Sequence, residues 1–262
     1  MPDETPSAGP GPRENLPPAA SPNAAGNLPG DPRSRDEVPQ YALPLVLRVE
    51  RASPPARTDA LEGAARAVLW FLADPRVNEP EGEWAPAVGA WEDARIRKVV
   101  RRARGAAWER ASALPGITVV HRSAEIRVYP PVPVDDWPPD LARLQVAGTE
   151  LEDPTPPGEP GGKTPVLWLN PELPMTAGKA MAQAGHAAQL AWWRLGPRVR
   201  SEWRDLDFDL AVRTAAPQGW AELVHSGLPV VRDGGFTEVA PGSCTVVADV
   251  PALRAERGAM RQ

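Results

Sequence analysis

Past residue 40 the apolar positions fall into short runs with distinct periods. Residues 41–50 (YALPLVLRVE) are apolar almost throughout and bounded by charge, which reads as a strand. Thr58 precedes LEGAARAVLWFLA, whose apolar residues recur at helical spacing. This predicts a long helix capped by Thr58 and stopped near Asp74-Pro75. A second helix is predicted over 90–113, ending before Pro115, and then two short strands, ITVVHR and AEIRVYP, hinged near Ser123. This order predicts a small α/β domain over 41–150. Residues 151–164 (LEDPTPPGEPGGKT) read as a proline/glycine linker. Beyond it come a strand (PVLWLN), an alanine-rich helix stopped by Pro197, the polar stretch VRSEWRDLD and a strand (FDLAVRTA). A helix over 217–226 stopped by Gly227 and two more strands (PVVRD, SCTVVADV) complete a second unit over 165–251, and 252–262 is left as a C-terminal tail. Strands alternating with helices imply a partly parallel sheet flanked by helices.

Residues 1–40 carry ten prolines and almost no large apolar side chain, so they read as a disordered tail. The net charge of −5 is not that of a bulk nucleic-acid binder. A single cysteine, Cys244, excludes an intrachain disulfide and a CxxC metal site. His121, His186 and His225 lie far apart without metal-ligand spacing, so no metal and no cofactor are expected. With neither a long apolar span nor a signal-type N-terminus, a cytoplasmic location without membrane attachment is expected. Gly158, Gly162, Lys163 and Thr164 imitate a phosphate loop, but the spacing is one residue short and a strand follows where a helix is needed.

Chemistry concentrates in two segments. In residues 175–191 (MTAGKAMAQAGHAAQLA), Gly178 and Lys179 open a helix, and Lys179, Gln183 and His186 stand at i, i+4 and i+7 on one side. A helix N-terminus attracts anions through unpaired amides and its dipole, so this corner suits a phosphate or carboxylate. In residues 233–247 (DGGFTEVAPGSCTVV), Asp233 ends a strand and Gly234-Gly235 permit a tight turn. Thr237, Ser243 and Thr245 follow as hydroxyl donors. Both segments sit at strand ends, where open α/β sheets form their crevice.

The pair L-x-M-x-x-G-K-x-x-A-Q-x-x-H-A (Leu173 to Ala187) and D-x-G-x-T-x-x-x-P-G-S-x-T-V (Asp233 to Val246) resembles the type II peptidyl-tRNA hydrolase family. The resemblance covers about residues 165–251. It implies a three-layer α/β/α domain around a four-stranded mixed sheet, here preceded by the smaller α/β domain. It also implies metal-independent hydrolysis of the ester joining a peptide to the 3′ ribose of tRNA. It makes peptidyl-tRNA the partner and allows a homodimer. Carried over by motif position, Lys179, Asp233, Thr237, Thr245 and His186 are catalytic candidates. Gln183, Gly178 and Ser243 are substrate-binding candidates. On this expectation Asp233, helped by a threonine hydroxyl, orients water, and Lys179 with the helix N-terminus holds the oxyanion or a terminal phosphate.

The chain departs from the family pattern at Ala177, where a second lysine is usual, at Asn170 and Glu172, and at Phe236, where arginine is common. From 165 to 250 there are seven Lys/Arg against nine Asp/Glu, a difference of −2. Phosphate neutralisation supplies much of nucleic-acid affinity, so cations are expected elsewhere. On the predicted 90–113 helix, Arg97, Arg101 and Arg104 share a face and read as tRNA-binding, with Trp91 and Trp108 stacking on bases or packing inward. Two other readings stay open: a catalytically inactive tRNA- or protein-binding module on the same fold, and a hydrolase of another ester.

Overall fold

The structure is a computed structural model that describes residues 38–233 and 240–260. Most of the expected N-terminal tail and residues 234–239, with Thr237, lie outside the described residues. The first lobe runs β1 (Tyr41–Arg48), α1 (Arg57–Leu72), the short α2 (Pro75–Asn78), α3 (Ala85–Asp93), β2 (Arg97–Ala103) and α4 (Gly105–Ser112). The hairpin β3 (Ile117–His121) and β4 (Ala124–Val128) follows, then β5 (Val132–Pro133) and α5 (Pro139–Ala142). The second lobe runs β6 (Val166–Leu169), α6 (Ala177–Arg194), α7 (Pro197–Asp205), β7 (Ala211–Thr214), α8 (Pro217–His225), β8 (Val230–Arg232), β9 (Cys244–Asp249) and α9 (Pro251–Met260). Helix α9 occupies most of the segment expected to be a C-terminal tail.

The fold is mixed α/β with two mixed sheets, and the two share one topology. The first is ordered β2-β1-β4-β3, with β5 added beside β1, and the second β7-β6-β9-β8. In each, the first strand runs parallel to the second (β1 with β2, β6 with β7) and antiparallel to the fourth, and the third is antiparallel to the fourth. In each, a long helix follows the first strand and crosses over to the second. These two helices, α1 and α6, pack on each other, and each reaches the other lobe's edge strand, α1 touching β7 and α6 touching β2. The exchange is reciprocal, as across a two-fold axis.

One core runs through both lobes, from Leu43, Leu45 and Leu47 on β1 through α1 and α6 to Leu167 and Val246–Ala248. Glycine makes the close approaches possible. A Cβ on Gly185 would come within 2.9 Å of Val68 Cγ2 across the α1–α6 contact, and one on Gly63 within 2.5 Å of Ile126 Cδ1 on β4. The opposite face of β1 packs on α4 and α5 through Val46, Trp108, Tyr129 and Leu141. In the second lobe, Trp168 on the far face of β6 meets α8 and the start of α9 around a cavity of about 710 Å³. Among the described residues no helix is long and apolar enough to cross a membrane.

Two local expectations are corrected. Residues 90–113 are not one helix. Their middle is strand β2, which pairs in parallel with β1 from Ala42↔Arg97 to Arg48↔Ala103. The β-branched Val99-Val100 pair suits a strand, and Gly105 at φ 48° starts a separate helix. Trp91 and Trp108 are both buried in the core. Thr58 does not cap α1, whose N-cap is Ala56. Instead the Thr58 amide and hydroxyl both donate to Asp153, each at 2.7 Å, so a linker carboxylate 95 residues away caps the helix.

Candidate active site

In the second lobe, β8 and β6 are both antiparallel to β9, so their carboxyl ends lie on one edge beside the amino end of β9. That edge gathers the loop into α6, Asp233 just past β8, and Thr245 early in β9. Gln183, two turns into α6, is the hub. Its Nε2 donates to Asp233 Oδ2 at 3.0 Å, and its Oε1 accepts from Thr245 Oγ1 at 2.8 Å. Donor on one side and acceptor on the other, the amide has a single consistent orientation. Asp233 is buried, and its backbone is clamped by Asp233 N to Ser243 O (2.9 Å) and Gly242 N to Asp233 O (2.8 Å). Thr245 is wholly buried.

At the helix start, Thr149 O accepts from Ala177 N at 3.0 Å, and Thr176 gives α6 no side-chain cap. Gly178, next in the first turn, is buried against Thr149. Lys179 stands half-exposed in the same turn. Asn170, which sequence reasoning treated only as a departure, braces the edge. Its Nδ2 donates to Cys244 O at 2.8 Å, its Oδ1 accepts from Glu172 N at 2.8 Å, and its backbone N donates to Thr245 O at 2.9 Å.

The expected residues therefore separate. Lys179, Gly178, Gln183, Asp233 and Thr245 converge on one edge, and Thr237 lies outside the described residues. Ser243 spends its hydroxyl inside a turn, donating to Ala240 O at 2.7 Å. His186 shares the helix face but turns toward the first lobe, where its electrostatic neighbour is Lys98 on β2 rather than Asp233. Burial, aided by that lysine, holds its imidazole well below the usual range. Burial also pushes the Lys98 amine well down, and its Nζ bonds Gln189 of α6. Arg97, Arg101 and Arg104 do not form one basic helical face, because they lie along and just beyond a strand. Arg101 is structural, donating to Ala142 O (3.1 Å) and Leu144 O (2.7 Å) beneath Trp137.

The corresponding edge of the first lobe is closed by ion pairs. Glu62 of α1 is almost fully buried. One oxygen accepts from Arg213 Nη1 at 2.7 Å and Val212 N at 3.2 Å, both on β7, and the other from His121 Nε2 at 3.0 Å and Arg122 at 3.4 Å. Burial pushes the Glu62 carboxyl up, but His121, Arg213 and the Val212 amide outweigh it and hold it below the usual range. Asp59, Glu62 and His121 bring ligand-type atoms within 4.8 Å of one another. The arginines already neutralise these carboxylates, so the group is a poor fit for a metal ion.

The comparison with known proteins bears on the second lobe alone. The model of the family described as "Peptidyl-tRNA hydrolase PTH2" matches residues 164–256. A peptidyl-tRNA hydrolase of Methanocaldococcus jannaschii is 33% identical over 96 residues, which cover 84% of that protein and 33% of this chain. The chain belongs to the PTH2 family. The matched segment starts just before β6 and ends in α9, so it contains Gln183, Asp233 and Thr245. The first lobe, with the same strand order, lies outside the match.

Proposed function

We propose that the second lobe hydrolyses the ester between a peptide and the 3′ ribose of tRNA, with catalysis centred on Asp233. The observation that carries this reading is the Thr245–Gln183–Asp233 chain on the helix that Lys179 opens. Gln183 holds Asp233 Oδ2 and so fixes the plane of a buried carboxylate that serves as general base. Water attacks the ester carbonyl carbon as the carboxylate takes its proton. The oxyanion forms against the Lys179 ammonium, in the positive first turn of α6. Collapse breaks the bond to the ribose oxygen, which receives the proton from Asp233. The products are a free peptide and a tRNA with its hydroxyl restored. Thr245 is a positioning residue: its hydroxyl reaches Gln183, not the solvent-facing edge.

The test is single-turnover release from N-blocked aminoacyl-tRNA by the full chain. Asp233→Asn keeps the Gln183 contact but loses the base, and the rate should fall about 10²–10⁴-fold with tRNA binding retained. Equal turnover by wild type and Asp233→Asn would end this assignment. Tight tRNA binding without any turnover by the wild type would favour an inactive binding module.

A further inference from the structure

At the carboxyl ends of the parallel strands β1 and β2, the first lobe has a cavity of about 570 Å³. Its walls are the β1–α1 loop, the β2–α4 junction and the segment after α5. Four arginines, Arg51, Arg102, Arg104 and Arg143, line it, with Glu50 as the one acid. The Glu50 carboxylate is already engaged, accepting from Arg48 Nε at 3.1 Å and Gly105 N at 3.2 Å. Among the described residues no side-chain hydrogen bond takes up the guanidinium groups of the four arginines, and only Arg104 feels the Glu50 carboxylate electrostatically. Other arginines of the lobe are tied down: Arg76 on Asp74, Arg127 on Leu114 O, Arg101 on Ala142 O and Leu144 O. In a chain of net charge −5, this is a local surplus of cations in a concave site.

The wall of the cavity is tied through the chain to the start of α6. Gln145 on its wall accepts from Arg102 N, and Thr149, four residues on, accepts from the first amide of α6. Four Cα–Cα steps of ~3.8 Å place these anchors within about 15 Å of each other. At the far side of the β1–α1 loop, Arg57 donates to Met175 O at 3.0 Å. About 15 Å is the axial length of four or five nucleotides of one duplex strand, at ~3.4 Å each.

We infer that the Arg51/Arg102/Arg104/Arg143 cavity binds backbone phosphates of the tRNA whose 3′ ester lies at Asp233. The first lobe thereby supplies the cations missing from the catalytic lobe. Guanidinium groups match phosphate oxygens in paired hydrogen bonds, and several around one concavity exceed what lysines on a flat surface provide. The inference rests on the hydrolase reading of the Asp233 edge.

The experiment uses the full chain with the exposed pair changed, Arg104→Glu with Arg143→Glu, and the milder Arg104→Gln with Arg143→Gln in parallel. Binding of deacylated tRNA is measured across a salt series, so turnover is not required. With two phosphate contacts gone, the slope of log K against log salt should become shallower by about 1.5, and Kd at low salt should rise at least tenfold. Hydrolysis is then compared on full-length N-blocked aminoacyl-tRNA and on its acylated 3′-terminal adenosine, which carries no backbone phosphate. The ratio of kcat/KM between the two substrates should fall about tenfold in the variant. Unchanged Kd and slope overturn the inference. So does inorganic phosphate that binds the wild type and not the variant while tRNA affinity stays constant. A wild type that binds tRNA through these arginines yet cleaves neither substrate sinks the hydrolase reading and leaves the phosphate site standing. Cleavage of both substrates with an unmoved ratio does the reverse.

Discussion

If Thr245 acts only through Gln183, the two side chains must fail together. Gln183→Leu removes the 3.0 Å hydrogen bond to Asp233 Oδ2 and leaves a buried carboxylate without that donor. A hydrogen bond to a charged group contributes about 1.5–3 kcal/mol. At about 2 kcal/mol the expected fall in kcat is about 30-fold, with KM little changed. Thr245→Val removes only the 2.8 Å bond to Gln183 Oε1, since the hydroxyl's other contact, to Val231 O, is 3.4 Å. A neutral bond of about 1 kcal/mol corresponds to about a fivefold loss of kcat. Independent residues would give the double variant a loss of about 160-fold. Residues acting in series leave it near 30-fold, because Thr245 has nothing to hold once Gln183 is gone. The assay is single-turnover ester cleavage, with thermal denaturation of each variant to correct for unfolding. A double variant near 160-fold, or a Thr245→Val loss as large as that of Asp233→Asn, would refute a positioning role and put the hydroxyl against substrate.

Two further outcomes follow from the ionisable groups between the lobes. Glu62→Gln leaves Arg213 facing a neutral amide at the α1–β7 contact and should lower unfolding free energy by about 3 kcal/mol, read by chemical denaturation; a change under about 1 kcal/mol would mean that the pairing is not a net stabiliser. The His186 imidazole has its folded-state pKa depressed by burial, so the unfolded chain takes up a proton first as pH falls below its ordinary 6.5. Stability should therefore decline from about pH 6.5 downward, and His186→Gln should flatten that decline in a Tm series; identical curves for both proteins would show that His186 does not titrate on unfolding.

The convergence on the Asp233 edge was legible because its residues stand in contiguous motifs at strand ends. Gly178, Lys179 and Gln183 share one helix start, and Asp233 and Thr245 lie at the neighbouring ends of β8 and β9. What the spacing could not convey was direction. His186 shares the face of Gln183, yet the first lobe draws it toward Lys98. The reading failed most at 90–113, where arginines at 97, 101 and 104 imitate a helical stripe. The same spacing of four also returns to one face of a strand, and the decision belongs to β1, some fifty residues earlier, which pairs with this segment. Thr58 failed for a related reason, since its partner Asp153 is remote and no local signal marks it. The match between the two sheets is topological. The first lobe holds Glu62 and His121 at the edge where the second holds Gln183 and Asp233, so the likeness is not written in side chains.

The common strand order has a consequence for how the molecule can change. In an assembly of identical chains every substitution appears in both subunits, and a residue must serve both positions at once. Here the two halves are one polypeptide, so each is altered alone. One lobe carries the Gln183–Asp233 edge, while the other has the Glu62 knot in its place and gathers arginines at the ends of β1 and β2. Covalent linkage also fixes the stoichiometry at one catalytic edge per pair of lobes. It holds the α1–α6 contact at an effective concentration on the order of millimolar, so dilution that would dissociate separate subunits leaves this pairing intact.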